Sequence, residues 1–106
     1  MLVLRTVLLV LLLAGTAGCC NEERIPGFVR DLYSPTAKRR SEAALGLAHC
    51  SGPAVERAVP RLIDLMYDDN IGVQSSAAYA LRKIDTPRAR DALERARARK
   101  LRGRDD

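Results

Sequence analysis

The 106-residue chain carries 18 basic and 13 acidic residues, which gives it a formal net charge of +5. That length allows one domain at most and excludes a multidomain architecture. With one histidine and three cysteines, the chain offers few side chains for metal or nucleophilic chemistry.

The chain begins with the pattern of a secretion signal. Residues 6–18 carry no charge and are rich in Leu and Val, with Arg5 before them and small residues from Ala14 to Gly18. A basic start, an apolar centre and a small-residue end are typical of a signal peptide. A membrane-spanning helix needs about 20 apolar residues, and Arg5 interrupts this run, so a permanent transmembrane helix is the less favoured alternative. We predict a signal peptide over residues 1–18.

The end of this segment reads Thr16-Ala17-Gly18-Cys19 and resembles the lipobox of bacterial lipoproteins. The resemblance implies cleavage before Cys19 and a lipid on its sulfur, since a thiol is the nucleophile that takes the diacylglyceryl group. Thr16 stands where Leu is commonest, and ordinary secretion with cleavage after Ala17 is the alternative. If the cell has two membranes, the absence of Asp after Cys19 favours the periplasmic side of the outer membrane.

Cys20 and Cys50 remain once Cys19 is assigned to the lipid. An oxidising location outside the cytoplasm permits a disulfide between them, provided that their Cα atoms approach within about 7 Å. Alternatively, Cys50 is a small buried residue at the end of an apolar helix. The sequence leaves both interpretations open.

After a short polar tether over residues 19–25, the pattern is helical from Pro26 onward. No segment alternates with period two, and Pro60 inside one apolar run predicts a kinked or restarted helix. We predict an all-α domain over residues 26–101 and a polar tail over residues 102–106. The helical pattern is broken at Ser34-Pro35, Ser51-Gly52-Pro53, Asp68-Asp69-Asn70 and Thr86-Pro87. In three of these four breaks a proline is expected at the first helical position.

Two segments of the chain repeat each other at a spacing of about 35 residues. Residues 37–48 match residues 73–84, and the similar positions fall on one helix face. The preceding residues 26–33 match residues 60–67. Each unit is therefore a helix A, a turn and a helix B, and a third unit begins at Pro87. Alanines on helix B allow its partner helix to approach closely. Leu45, Leu81 and Ile84 are predicted to fill the space between neighbouring helix pairs.

The segment from Asp68 to Ile84 resembles a HEAT repeat of the bacterial phycobilin-lyase-like type. Helix B of that family reads Val-Arg, two variable residues, Ala-Ala, one variable residue and Ala-Leu-Gly, and residues 73–82 read VQSSAAYALR. The resemblance spans residues 26–98 and implies a short α-solenoid of about two and a half helix pairs. Gln74 replaces the usual Arg, and Arg82 and Asp85 replace usual glycines. These departures question the inter-repeat Asp–Arg ladder of the family, but not its helix pairs.

A catalytic or metal site has little support in the sequence. His49 is followed by Cys50, but a metal site normally needs three or four ligands, and no CxxC, HxxH or HExxH spacing occurs. A histidine at a helix end more often caps carbonyl groups. Gly46, Gly52 and Gly72 are scattered and form no phosphate-binding loop. We predict no enzyme activity, no catalytic residue, no metal and no cofactor.

Positive charge is concentrated near the C-terminus. Eight basic residues lie from Arg88 to Arg104, against Asp91 and Glu94. Because an exported chain does not meet the chromosome, we expect no nucleic-acid partner, which leaves anionic lipid, acidic wall polymer or an acidic protein. A solvated helix face is the simpler interpretation of such a charge run.

Two functions are consistent with these features. We predict a membrane-anchored, non-catalytic interaction module of the bacterial cell envelope, which holds an envelope protein on the surface of its helices B. The candidate partner-binding residues are Lys38, Arg39, Glu42, Gln74, Ser75 and Arg82. The alternative is a structural lipoprotein that adheres to anionic lipid or wall polymer through its Arg-rich C-terminal helix.

Overall fold

Helices follow one another along the chain, and no β-strand occurs within residues 20–105. The computed structural model describes those residues, so the predicted signal peptide and Cys19 lie outside the described part. A 3-10 turn, Glu22–Arg24, comes first. The helices are α1 (Ile25–Asp31), α2 (Ala37–Leu47), α3 (Pro53–Glu56), α4 (Val59–Leu65), α5 (Ile71–Ile84) and α6 (Pro87–Asp105). The predicted all-α fold is confirmed, and none of these helices is long and apolar enough to cross a membrane.

The helices pack as two pairs and a single helix. Helix α1 packs against α2, and α4 packs against α5. The two helices B, α2 and α5, also pack against each other, and α6 packs against both α4 and α5. This arrangement is a short solenoid in which α6 is the helix A of a third unit, as the spacing of the repeats predicts.

The core lies between the helix pairs and is built from aliphatic side chains. Small residues line the contact between α2 and α5, where the hydroxyls of Ser41 and Ser76 share a hydrogen bond. The largest fully buried side chains are Leu32, Leu47, Leu62, Leu65, Leu81, Val55, Val59 and Val73. The expectation that Leu45 fills the core is wrong, since this side chain is 40% exposed. Its repeat equivalent, Leu81, is buried because α6 covers α5, whereas in the described chain α2 carries a neighbouring unit on one side only.

Side-chain oxygens set the starts of several helices. The Asn70 side chain accepts a hydrogen bond from the Val73 N–H at 3.1 Å and caps α5. Thr86 does the same for the Ala89 N–H ahead of α6 at 3.2 Å. Pro53 and Pro87 are first helical residues, as predicted. The same expectation is wrong for Pro35, because the Ser34 hydroxyl accepts from the Thr36 N–H at 3.1 Å and holds that segment in a turn.

Pro60 divides the second helix A into two short helices, as its position in the apolar run predicts. Helix α3 ends at Glu56, and α4 begins at Val59 with Pro60 in its first turn. Proline has no N–H to donate back to the preceding turn, so a continuous helix would lose a bond there. The two short helices still bury Val55, Val59 and Leu62 in the common core.

The ends of the helical domain extend beyond the predicted limits. Ile25, assigned to the tether, is 3% exposed and belongs to the core. The residues before it are ordered because the Asn21 side chain accepts from the Glu23 N–H at 3.2 Å. Residues 102–105, assigned to a polar tail, continue α6. Arginine favours a helix, and Arg102 and Arg104 in its last turn oppose the negative end of the helix dipole.

Candidate interaction site

A disulfide ties the start of the domain to the first helix pair. Cys20 and Cys50 are bonded at an S–S distance of 2.00 Å, with their Cα atoms 5.0 Å apart. Cys50 is buried at the end of the turn that follows α2, where its N–H donates to the Leu47 carbonyl at 3.0 Å. Because Cys20 follows Cys19 directly, the bridge fixes where the chain leaves the domain toward the predicted lipid attachment point.

The bridge also settles the chemistry available at His49 and Cys50. His49 is exposed in the turn, and the sulfur of its neighbour is used in the disulfide. Cys50 therefore has no thiol to serve as a nucleophile or a metal ligand. Within residues 20–105, no group of three or more His, Cys, Asp or Glu side chains is placed to hold a metal ion.

The predicted partner-binding residues on α2 form an exposed polar patch. Lys38, Arg39 and Glu42 are all exposed. Lys38 and Glu42 lie one turn apart with charged atoms separated by 4.0 Å. A pair at this exposure contributes little to folding stability, so both side chains are available to a partner.

The predicted residues on α5 do not share one environment. Ser75 is exposed at the position equivalent to Arg39 in the preceding repeat. Gln74 is half-buried, and its amide donates to the Asp68 carbonyl, which caps the turn before α5. Arg82 lies further along the helix and lines a groove against α6. Ser75 is thus exposed like the predicted residues on α2, whereas Gln74 is hydrogen-bonded within the chain and Arg82 lies beside α6.

An ion pair between the two repeats was missed by the sequence analysis. Arg40 on α2 contacts Asp68 at 3.1 Å, and these side chains are only 15% and 13% exposed. The second guanidinium arm donates to the Ser34 carbonyl at 2.8 Å. The Asp–Arg ladder implied by the resemblance was the available signal, but Gln74 occupies the position where that pattern places its arginine. Here one link of the ladder is formed by an arginine two positions later in helix B of the first repeat.

The same contact perturbs the titration of Asp68. The Asn70 N–H donates to its carboxylate at 2.9 Å, and the Arg40 guanidinium donates to the same oxygen. These bonds favour the charged form and outweigh the opposing effect of burial, so they hold the pKa of Asp68 below its ordinary value. Asp68 is therefore a structural anion between repeats.

Two grooves flank α6. The α5–α6 groove, of about 490 Å³, is lined by Met66, Ala78, Arg82, Leu93, Glu94, Ala96, Arg97 and Lys100. The α4–α6 groove, of about 360 Å³, is lined by Ile63, Tyr67, Arg88, Asp91, Ala92, Arg95 and Arg99. The α5–α6 groove is mainly apolar, and both grooves carry basic side chains along α6. The positive charge found in the sequence is therefore arranged around two open grooves.

A third groove lies beside the disulfide. It has a volume of about 640 Å³ and is mainly apolar, with one acidic and one basic side chain. Its lining residues are Glu22, Ile25, Pro26, Val29, Ser51, Gly52, Pro53, Ala54 and Arg57.

Comparison with known protein families gives a match over most of the chain. A family model for HEAT repeats matches residues 25–103, which include both helix pairs and nearly all of α6. No curated protein matches the chain. No solved structure matches it.

Proposed function

The chain belongs to the HEAT-repeat family, and from that premise we propose that it is a non-catalytic interaction module anchored to the bacterial envelope by a lipid on Cys19. Tandem helix pairs bury a common core and present extended surfaces to partners. The exposed patch of Lys38, Arg39, Glu42 and Ser75 on adjacent helices B supports this role. The phycobilin-lyase-like subtype suggested by the helix B pattern belongs to the same proposal, without a lyase activity.

The observation that carries the location is the Cys20–Cys50 disulfide. Disulfides persist in oxidising compartments outside the cytoplasm, where the signal-like residues 1–18 would direct the chain. The bridge uses two of the three cysteines, which leaves Cys19 at the lipobox-like position for the lipid. In a cell with two membranes, the anchored domain would face the periplasm from the outer membrane.

Metabolic labelling tests the anchor. Cells that express the full chain are given labelled palmitate, beside a Cys19→Ser variant and a Cys20→Ala variant. We expect label in the wild-type and Cys20→Ala proteins and none in Cys19→Ser. Label that persists in Cys19→Ser, or is absent from the wild type, would exclude the lipid at this residue.

A second function is supported by the exposed basic side chains of α6. A structural lipoprotein that adheres through α6 would hold anionic lipid or wall polymer by charge alone, so the attachment would be lost at high salt. Affinity capture from envelope extracts at low and high ionic strength separates the two functions. A single defined protein retained at high salt supports the interaction module, while salt-labile sedimentation with vesicles or wall supports the structural role.

A further inference from the structure

Within the described residues, one face of α6 has no helix packed against it. In the second unit, helix B (α5) packs against its own helix A (α4) and against the preceding helix B (α2). By the same geometry, a helix B of the third unit would pack against α6 and α5. Within residues 20–105 no helix follows α6, and the α5–α6 groove lies between those two helices.

The floor of this groove is apolar and only partly covered. Met66, Ala78, Leu93 and Ala96 line it, and all four are half-buried. Each unit of a solenoid buries its apolar faces against neighbouring units, and among the described residues α6 has such a neighbour on one side only. An α-helix is about 10 Å across with its side chains, and small alanines at the base of a groove allow such a helix to approach closely.

The charges on the rim indicate the chemistry of the occupant. Arg82, Arg97 and Lys100 are exposed along the groove, against the single acid Glu94. None of these three basic side chains forms an ion pair with the described chain. On the other side of α6, by contrast, Arg95 contacts Asp91 at 3.0 Å, and Arg99 stacks 5.2 Å from the Tyr67 ring centre.

The charge of the longer helices disfavours a second copy of the chain as the occupant. Helices α2, α5 and α6 all carry more basic than acidic residues, so any of them would bring like charge to the rim. A flat anionic membrane fits less well than a helix, since it would reach the rim charges but leave the recessed apolar floor uncovered. An acidic amphipathic helix would cover the apolar floor with its apolar face and place acidic side chains against the basic rim.

We propose that the α5–α6 groove binds an amphipathic helix of a partner protein, with its apolar stripe on the groove floor and acidic flanks against Arg82, Arg97 and Lys100. The bound helix takes the place of a third helix B and completes the third pair. The inference rests on the proposed interaction function and names the class of partner and the surface used.

The test uses the full chain, expressed with its own leader and placed in nanodiscs of zwitterionic lipid. The probe is a fluorescent 18-residue helical peptide with Leu and Ala on one face and Glu on both flanks. One control peptide replaces each Glu by Lys, and empty nanodiscs correct for binding to lipid. We expect saturable binding of the Glu peptide by anisotropy, and binding of the Lys peptide at least about tenfold weaker.

Charge-reversal variants locate the site. Arg97→Glu with Lys100→Glu should weaken binding of the Glu peptide roughly tenfold or more. The matched control, Arg95→Glu with Arg99→Glu, makes the same change in net charge on the other side of α6 and should retain affinity within about threefold. Circular dichroism checks that both variants keep their helix content, as expected for exposed side chains.

Three results would overturn the proposal. They are no binding of the Glu peptide, equal binding of the two peptides, and equal loss of affinity in the two variants. Hydrogen exchange of α6 distinguishes a membrane from a partner helix. If α6 is protected in nanodiscs of anionic lipid, but is not protected in zwitterionic nanodiscs that contain the Glu peptide, the surface binds a membrane instead. The mass of the N-terminal peptide from the same preparation reports the lipid separately, so failure of the anchor and failure of the groove are distinguishable.

Discussion

Asp85 holds a backbone conformation that side chains other than glycine rarely adopt. It ends α5 at φ 53° and ψ 46°, the left-handed region, and its N–H donates to the Leu81 carbonyl at 3.1 Å. Glycine is the usual residue at this helix end because it has no Cβ to clash. The Asp85 carboxylate contacts Arg90 at 3.2 Å, but both side chains are more than half exposed, so the pair adds little.

Replacement of Asp85 by glycine should therefore stabilise the domain. We expect Asp85→Gly to raise the free energy of unfolding by about 0.5–1 kcal/mol, measured by urea denaturation. Asp85→Ala is the control, since it removes the same contact with Arg90 but keeps the Cβ, and should give no gain. Equal stabilisation by both variants would show that the backbone conformation is not the cause.

Gly46 marks a close approach between α1 and α2. A Cβ at this position would lie 2.6 Å from the Phe28 ring, whereas a Cβ at Gly27 in α1 would meet nothing within 4 Å. Both residues are helical, and alanine is the better helix former. The two glycines thus differ in tertiary packing alone.

The two substitutions should change stability in opposite directions. We expect Gly46→Ala to lower the free energy of unfolding by roughly 1–2 kcal/mol through overpacking against Phe28. Gly27→Ala should raise it by up to about 1 kcal/mol through helix propensity. Denaturant melts of the two variants in parallel provide the measurement, and a gain of stability in Gly46→Ala would contradict the close packing.

At the scale of elements, the contact between Arg40 and Asp68 joins the first helix B to the turn before the second. Asp68 has a pKa below its ordinary value in the folded state because the Asn70 N–H and Arg40 favour the carboxylate. A group with a lowered folded pKa contributes stability above its unfolded pKa of about 3.9, and that contribution is lost as the pH falls through the folded value.

Asp68→Asn should remove this contribution. We expect a loss of about 2 kcal/mol at pH 7, and the difference from wild type should shrink as the pH falls below about 4. The neighbouring Asp69→Asn is a matched control, since Asp69 is exposed and should change stability little. Thermal melts between about pH 2 and 7 provide the measurement. If the difference in stability between the wild type and Asp68→Asn does not depend on pH, the charge of Asp68 does not stabilise the fold.

Periodicity and the turn residues predicted the helix pairs, the restart at Pro60 and the solenoid, because these features depend on spacing along the chain. The exposure of Leu45 and the pairing of Arg40 with Asp68 could not be predicted in the same way. Both depend on which neighbouring unit covers a given face and on how α2 lies against the following turn. The surface around Arg82 was likewise assigned to the helix B patch, because a single sequence does not show how α6 packs beside α5.

At the scale of the whole molecule, the disulfide closes the first helix pair into one covalent loop. Cys20 and Cys50 are separated by 30 positions, and a cross-link over such a loop restricts the unfolded chain. The bridge therefore stabilises the first of the two helix pairs that residues 20–105 form.

Loss of the bridge should be measurable while Cys19, the proposed anchor residue, is kept. We expect Cys20→Ala with Cys50→Ala to lower the free energy of unfolding by roughly 3 kcal/mol, and wild-type protein in a thiol reductant should behave in the same way. The double variant itself should be insensitive to the reductant. Wild-type protein that melts identically with and without reductant would argue against a stabilising bridge.

The central claim is that this helical repeat domain is held at a membrane by Cys19, and the mass of its N-terminal peptide tests that claim most directly. The protein is expressed as the full chain and purified from membranes. We then predict a first residue of Cys19 that carries diacylglyceryl and an acylated amine, with Cys20 bridged to Cys50. An unmodified N-terminus at Gly18, or an intact leader ahead of an unmodified Cys19, would contradict it.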